Sequence, residues 1–254
     1  MKLKVRGQNI NLGRQLRHTL EFVTVFFLAR LFRLLSLDTA SALGGFLART
    51  FGPWSGLSKR AAINLSNAFP DKTTDEISAI VTGMWDNIGR TAAEFPHLAQ
   101  LHIYEQPERF DIIGVEHLDT MRTDGIGGII FTAHVGNWET TGLAISQSGL
   151  KLTTAYREAN NPLVNKLLTN LRTEGELVPK GPGGARALVA TIKNKGHIGL
   201  LVDQKMNDGI SVPFFGREAM TAPALAQLAI RFKVPVIPVH CVRLNGARFR
   251  IIFE

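Results

Sequence analysis

The sequence is poor in cysteine: Cys241 is the single one among 254 residues. A disulfide-stapled scaffold and a zinc site built from cysteines are therefore excluded, and the composition fits a reducing compartment. Low-complexity segments and internal repeats are also missing, while hydrophobic residues make up 45% and charged residues 20% of the chain. These proportions exclude a disordered, collagen-like or coiled-coil protein, and the length fits one large domain or one domain with an appendage.

Several catalytic motifs are missing as well. The chain has no Gly-x-Ser-x-Gly elbow, no Gly-x-x-x-x-Gly-Lys phosphate loop and no His-Glu-x-x-His zinc motif. Residues 181–186, Gly-Pro-Gly-Gly-Ala-Arg, lack dinucleotide-binding spacing, and we expect them to form a turn that opens a helix. The histidines are scattered without the spacing of a metal triad. We expect proton transfer by a general base, without a protein nucleophile.

Positive charge is concentrated at the start of the chain. The formal net charge is +8, and residues 1–36 hold seven basic residues against one acid, Glu21. The most apolar run, residues 22–29, lies in the same segment and continues through Arg30 and Arg33. It is shorter than the about 20 residues that a membrane span needs, and no signal-peptide cleavage site follows it.

We therefore predict that residues 1–36 are a membrane-interface segment, in which the apolar run forms a helix with its apolar side chains among acyl chains and its arginines at anionic headgroups. A true membrane span and a plain core helix stay open as alternatives. Nucleic acid is not an expected partner, because RNP-type interleaving, zinc-finger spacing and a basic zipper are missing.

The periodicity of apolar residues in the rest of the chain changes along its length. Residues 38–95 show helical periodicity, with Asp38 as an expected helix cap. Apolar runs at 128–133, 152–156, 198–202 and 236–240 then alternate with helical segments at 138–147, 160–172, 184–194 and 221–232. This alternation predicts an α/β fold with a mostly parallel sheet flanked by helices. We expect a single domain over 37–254, whose final run 248–254 is a strand without a following cap, as in a C-terminally truncated chain.

Polar residues stand at the end of each predicted strand: His134, Arg157, Asp203 and His240. Ligands of an open parallel sheet bind at the carboxyl ends of its strands. Capping would explain one such residue, but four polar groups on one rim indicate a site. Basic residues that fit phosphate or carboxylate groups, or else a solvated surface, are Arg157, Lys180, Lys205 and Arg217.

His134 begins the segment His-Val-Gly-Asn-Trp-Glu, which ends at Glu139. Residues five apart on one helix are about 500° apart around its axis, so the two side chains meet only if His134 lies on a loop. Gly136 and Asn137 would supply the turn into the helix. Glu139 would then accept the Nδ1 hydrogen bond and leave Nε2 as a general base. A capping histidine beside a helix-start glutamate is the alternative.

This segment resembles the His-x-x-x-x-Asp/Glu signature of the glycerolipid acyltransferase superfamily, and most of all its lipid A biosynthesis lauroyl/myristoyl acyltransferase branch. Three further blocks agree in order and spacing: Tyr156-Arg157 with 160–162, Asp203-Gln204-Lys205 with 212–216, and 221–223 with 234–239. The resemblance covers roughly residues 20–254. The tryptophan-rich motif of the family's tail is not present, and residues 179–186 have no role that the family pattern assigns.

The resemblance implies transfer of a fatty acyl group from an acyl carrier protein thioester, or from acyl-CoA, to a hydroxyl of a lipid A precursor. The reaction would occur at the cytoplasmic face of the inner membrane, with a peripheral or single N-terminal anchor. His134 would be the base and Glu139 its orienting group, and no metal or organic cofactor is expected. The expected substrate-binding residues are Asn137, Arg157, Asp203, Gln204 and Lys205. Another glycolipid or aminolipid acceptor, such as a phosphatidylinositol mannoside, and a non-catalytic lipid-binding module stay open as alternatives.

Overall fold

The computed structural model of the chain describes residues 2–5, 8–172 and 175–254, with side chains from residue 13 onward. Arg6, one of the basic residues counted in the N-terminal segment, lies outside the described residues. Strands β1 (Lys2–Val5) and β2 (Gln8–Asn11) pair antiparallel ahead of the first helix.

The first half of the chain is helical, as its periodicity predicts. It contains α1 (Leu12–Leu34), α2 (Leu37–Phe51), α3 (Gly56–Ala68) and α4 (Thr74–Glu94), with 3-10 turns at Gly52–Trp54 and Phe95–Gln100. A capping box begins α4, because Thr73 and Glu76 each accept a hydrogen bond from the other's backbone N–H. Ser36 caps α2 through its hydroxyl, so Asp38 lies in the first turn and is not the expected cap.

Helices α2 and α4 pack at unusually close range. A Cβ on Gly44 would lie 2.4 Å from the carbonyl oxygen of Gly89, a distance that no other residue at this position would tolerate without movement. The glycine pair therefore lets the two backbones touch and fixes α4 against α2.

The second half alternates strands and helices. Its strands are β3 (Phe110–Ile113), β4 (Gly128–Thr132), β5 (Leu152–Tyr156), β6 (Glu176–Pro179), β7 (His197–Leu201), β8 (Ile210–Phe214), β9 (Arg217–Thr221), β10 (Val236–Asn245) and β11 (Arg248–Phe253). Its helices are α5 (Val115–Thr123), α6 (Glu139–Gln147), α7 (Pro162–Leu171), α8 (Pro182–Lys193) and α9 (Ala224–Phe232). Seven strands form one sheet in the order β3-β11-β10-β4-β7-β5-β6, and β8 with β9 forms a separate hairpin.

All neighbours in the seven-stranded sheet run parallel except β10 and β11, which pair antiparallel. Successive side chains along a strand point to opposite faces, and both faces are covered. Ile129 and Ile198 pack in one buried cluster with Leu188 of α8, whereas Ile130 packs in a second cluster with Leu143 of α6. The predicted α/β class and mostly parallel sheet are confirmed.

The four strands predicted from apolar runs correspond to β4, β5, β7 and β10, and the final run forms β11. The short elements β3, α5 and β6 and the β8–β9 hairpin were not predicted. One strand end was predicted wrongly, because β10 continues to Asn245 by pairing with β11. His240 consequently lies inside β10, where its Nδ1 is 4.0 Å from the carboxylate of Glu254, and not at the end of a strand.

Within the described ranges, no helix has the length and apolar character needed to cross a bilayer. The membrane-interface role of residues 1–36 stays a prediction.

Candidate functional site

The register of two central strands brings His134 to Asp203. Strands β4 and β7 are parallel neighbours, and Thr132 at the end of one pairs with Leu201 at the end of the other. His134 and Asp203 each stand two residues further along the chain. The two side chains therefore meet at the carboxyl edge of the sheet, where ligands of α/β proteins bind.

Both carboxylate oxygens of Asp203 accept hydrogen bonds from His134. The backbone N–H donates to Oδ2 at 2.9 Å, and the ring Nδ1 lies 2.7 Å from Oδ1. Partial burial raises the pKa of the Asp203 carboxyl, but the two hydrogen bonds and the charge of His134 lower it more, so the pKa lies below its ordinary value. Asp203 is thus held ionised against the imidazole.

Glu139 begins α6, as expected, but it does not bond the imidazole. Both of its oxygens face Arg172, which donates from Nε at 2.9 Å and from Nη2 at 2.6 Å. The indole Nε1 of Trp138 donates a further bond to Glu139, at 3.0 Å. The prediction that Glu139 accepts the Nδ1 hydrogen bond of His134 is therefore wrong: Asp203 holds that position, and Arg172 holds the glutamate.

Trp138 contacts both His134 and Glu139. Its ring stands edge-on to that of His134, with 5.0 Å between the ring centroids and an interplanar angle of 66°. Glu139 thus reaches the imidazole only indirectly, through the indole that it anchors. Trp138 could be found from the sequence, because it lies inside the His134–Glu139 segment, whereas Arg172 follows α7 with no motif around it.

Asn137 is fully buried and does not line the cavity beside His134. Its Nδ2 donates to Glu94 at 2.8 Å, and its Oδ1 accepts from the backbone N–H of Glu139 at 3.2 Å. The expected substrate contact by Asn137 is therefore replaced by a contact with the protein interior, because both ends of its amide are already used.

A cavity of about 280 Å³ opens beside His134. It lies between α6 and one face of the sheet, and its walls include Ile130, Ile145, Leu150, Leu152, Leu177 and Val239. Its mouth is polar, since His134, Arg157 and Gln204 line it as well. Such a mixture of apolar walls and a few convergent polar groups is typical of a ligand pocket.

A glycine in the central strand β7 leaves room for this cavity. A Cβ on Gly199 would lie 2.7 Å from Thr154 Oγ1 and 3.4 Å from Leu152 Cδ1, both on β5. Leu152 and Tyr156 lie at opposite ends of β5, about 13 Å apart at the usual rise of a strand. Since both residues line the cavity, it extends along most of the strand.

The other expected binding residues lie around the mouth. Arg157 is exposed and lines it, and Gln204 accepts a hydrogen bond from Lys180 at 3.2 Å. Lys205 is exposed and is not among the residues that line the cavity. Arg217 lies in β9 of the separate hairpin.

The same geometry also bears on a cysteine nucleophile and on a metal site. Cys241 is buried, and burial raises the pKa of its thiol, which therefore stays protonated and is a poor nucleophile. Within the part of the chain that the structure describes, no three His, Cys, Asp or Glu side chains are grouped to hold a metal ion.

Comparison with known proteins identifies relatives of the chain. The family described as bacterial lipid A biosynthesis acyltransferase matches residues 11–254. A Haemophilus influenzae protein named "Lipid A biosynthesis acyltransferase" is 25% identical over 183 residues, which are 70% of this chain and 57% of the relative. The "Lipid A biosynthesis myristoyltransferase" of Escherichia coli K12 is 25% identical over 200 residues, 77% of this chain and 61% of the relative.

A "Phosphatidylinositol mannoside acyltransferase" of Mycolicibacterium smegmatis is 28% identical over 140 residues, which are 53% of this chain and 46% of the relative. The chain thus spans between 46% and 61% of the length of these three curated relatives.

Proposed function

The chain belongs to the bacterial lipid A biosynthesis acyltransferase family, and on this premise we propose that it transfers a fatty acyl group from a thioester donor to a hydroxyl of a glycolipid. The observation that carries the proposal is the hydrogen-bonded pair of His134 and Asp203 at the mouth of an apolar cavity. A general base beside a pocket for an acyl chain is what this reaction requires.

His134 acts as the general base through Nε2, since Nδ1 is bonded to Asp203. The ring takes the proton of the acceptor hydroxyl while that oxygen attacks the carbonyl carbon of the thioester. A carbon–oxygen bond forms, the carbon–sulfur bond breaks, and the proton passes from Nε2 to the departing thiolate. The histidine ends in the state in which it began, and no acyl-enzyme is needed.

Asp203 fixes the imidazole in the tautomer that has its proton on Nδ1 and stabilises the imidazolium that forms during the reaction. Its lowered pKa supports this role, because the carboxylate is ionised whenever the base is neutral. Glu139 supports the site without bonding the imidazole. It holds Arg172 at the cavity wall and Trp138 against the imidazole.

The acyl chain of the donor occupies the cavity, with its thioester at the polar mouth. Each methylene that leaves water for such apolar walls contributes about 0.8 kcal/mol to binding. The donor is an acyl carrier protein or coenzyme A thioester. Arg157 and Lys180 stand at the mouth, where they bind phosphate of the acceptor or of the donor.

The acceptor we propose is a lipid A precursor at the cytoplasmic face of the inner membrane. A phosphatidylinositol mannoside or another glycolipid is the second acceptor class, because a relative named for that substrate has a sequence identity to this chain similar to that of the lipid A relatives. The polar mouth suits either, since both present hydroxyls near phosphate.

Helix α1 attaches the site to the membrane surface. On one side it is bonded to the body of the protein, where Asn161 Nδ2 donates to the carbonyl of His18 at 2.7 Å. On the other side it exposes large apolar residues, among them Phe27 at 65% and Leu34 at 83% of the residue's full exposure. Apolar exposure next to arginines is the pattern of an interfacial helix on an anionic leaflet.

The test is a transfer assay with the purified chain on anionic vesicles. Acyl-CoA and acyl carrier protein thioesters serve as donors, with a lipid A precursor and a phosphatidylinositol mannoside as separate acceptors, and mass spectrometry detects one added acyl chain. We expect His134→Ala to lower turnover at least about 10³-fold, the upper range for loss of a general base. His102→Ala, an exposed histidine elsewhere, should retain full turnover.

Wild-type turnover by His134→Ala would overturn the mechanism. Saturable vesicle binding without turnover of any donor would overturn the transferase proposal in favour of a lipid-binding module. The acceptor that gains mass decides between the two glycolipid classes.

A further inference from the structure

A completely buried carboxylate lies behind the loop that carries His134. Glu94, at the end of α4, has no exposed surface. Its oxygens accept hydrogen bonds from Ser41 Oγ at 2.6 Å, from Asn137 Nδ2 at 2.8 Å, and from both terminal nitrogens of Arg243. A buried charge is costly unless it is paired and hydrogen-bonded. Asn137 is therefore one of the groups that offset the cost of burying the Glu94 charge.

The same face of α4 holds a second point of the loop. The carbonyl oxygen of Gly136 accepts hydrogen bonds from Asn87 Nδ2 at 2.8 Å and from Thr91 Oγ1 at 3.2 Å. Asn87, Thr91 and Glu94 are spaced four and three residues apart, so they share one side of the helix. One helix face thus fixes two consecutive residues of the loop.

Arg243 connects this helix face to the sheet. From β10 its Nε donates to Asn87 Oδ1 at 3.0 Å, and its Nη2 donates to Thr91 Oγ1 at 3.2 Å. Its guanidinium also lies 4.8 Å from the centroid of the Phe249 ring. The loop, α4 and β10 are therefore parts of one hydrogen-bonded unit.

The backbone of the loop between Gly136 and Glu139 is tightly restricted. Gly136 has φ of 56°, and a Cβ there would lie 2.1 Å from the carbonyl oxygen of Cys241. The backbone N–H of Glu139 is bonded to Asn137 Oδ1, so the start of α6 depends on the orientation of that amide. Movement of Asn137 would shift both the loop and the first turn of α6.

We propose that Glu94, Arg243 and Asn137 are positioning residues that set the place of His134 through the loop, without touching substrate. The inference rests on the proposed function, in which His134 is the base. A displacement of about 1 Å at a reacting group costs on the order of 100-fold in rate. Loss of the network should accordingly lower kcat much more than it changes KM for the donor, because Glu94, Arg243 and Asn137 do not themselves line the cavity.

Asn137→Ala is the sharpest variant, since it removes the bond between the loop and Glu94 while the ion pair with Arg243 stays complete. We expect kcat to fall on the order of 100-fold, and the amides of Glu139 and Thr140 to exchange hydrogen faster while those of β4 and β7 are unaffected. Asp86→Asn is the matched control: Asp86 is an ion-paired carboxylate on the same helix, bonded to Arg49 and Arg90 and not to the loop. It should change neither quantity.

A pair of substitutions tests the contact itself. Asn137→Asp places a second carboxylate against Glu94, and we expect about the same loss of kcat. Adding Glu94→Gln restores one donor and one acceptor to the contact between residues 94 and 137. It also leaves a single negative charge facing Arg243. The double variant should therefore have a kcat about tenfold higher than that of Asn137→Asp.

Wild-type kcat and loop exchange in Asn137→Ala would overturn the inference. A uniform rise of exchange through the sheet would also overturn it, since this shows only a structural role. Hydrogen exchange needs no substrate, so it tests whether Asn137 orders the loop even where the wild-type chain turns over no thioester. Failure of the proposed function is therefore distinguishable from failure of this inference.

Discussion

Asp203 accepts two hydrogen bonds from the same residue, one from the backbone N–H of His134 and one from its ring nitrogen Nδ1. The first fixes where the histidine backbone lies, and the second fixes the plane of the ring. The two residues are 69 positions apart in the sequence, and the pairing of β4 with β7 alone makes them neighbours. The carboxylate is therefore suited to both holding and activating the base.

Asp203→Asn tests this relationship most directly. The amide of asparagine offers hydrogens to Nδ1 and so favours the wrong tautomer, with the proton on Nε2. We expect kcat to fall on the order of 10⁴-fold, the cost of the same substitution in a serine-protease triad, while the fold is retained. Steady-state kinetics measure the effect, and Asp208→Asn, an exposed acid further along the same loop, should retain wild-type kcat.

Stability should depend on pH through the same carboxylate. The pKa of Asp203 is lower in the folded chain than its ordinary value of 3.8, so ionised Asp203 stabilises the fold above that value. The contribution is lost as pH falls through the lower, folded-state pKa. The difference in melting temperature between wild type and Asp203→Asn should be full at neutral pH and vanish in strong acid. A difference independent of pH would contradict the assignment.

Glu139→Gln separates the observed geometry from the one expected from sequence. If Glu139 oriented the imidazole, its loss would match that of Asp203. Because it bonds Arg172 instead, we expect a smaller loss of kcat and a stability cost of about 1–3 kcal/mol from the weakened, mostly buried pair. Denaturant unfolding measures the stability cost, and steady-state kinetics compare the loss of kcat in Glu139→Gln with that in Asp203→Asn. An equal loss of kcat in the two variants would contradict the observed geometry.

Gly199→Ala should shorten the acyl chain that the cavity accepts. The added methyl group would crowd Thr154 Oγ1 at 2.7 Å, in the middle of the cavity wall. Each methylene excluded from the apolar pocket costs about 0.8 kcal/mol, or roughly fourfold in kcat/KM. Competition between donors of different length measures the shift. Gly183→Ala, where the added carbon meets no atom within 4 Å, should leave the preference unchanged.

Membrane attachment is tested by Phe27→Ser together with Leu34→Ser, the exposed apolar residues of α1. We expect weaker co-sedimentation with anionic vesicles, since binding scales with buried apolar area, and unaltered turnover of a detergent-solubilised acceptor. Ile230→Ser removes an equally exposed apolar residue from α9 and serves as control. Equal vesicle binding by all three proteins would show that α1 is not the attachment.

Much of the fold could be predicted from local pattern. The apolar runs at 128–133 and 152–156 became strands because a buried strand needs only a short apolar stretch, and their bounds were right to within one residue. The β8–β9 hairpin escaped prediction because its strands are exposed and carry no such run. The segment 181–186 does open α8, as its glycines and proline indicated.

The sequence by itself determined that His134 and Asp203 each follow a strand, and therefore that both reach the carboxyl edge of the sheet. Only the tertiary structure decided which carboxylate the imidazole bonds. Glu139 is five residues away along the chain and yet pairs with Arg172, whereas Asp203, far away in sequence, takes Nδ1. The physical reason is that a hydrogen bond depends on distances across strands, and the register of β4 against β7 is set by packing throughout the sheet rather than by the residues beside the histidine.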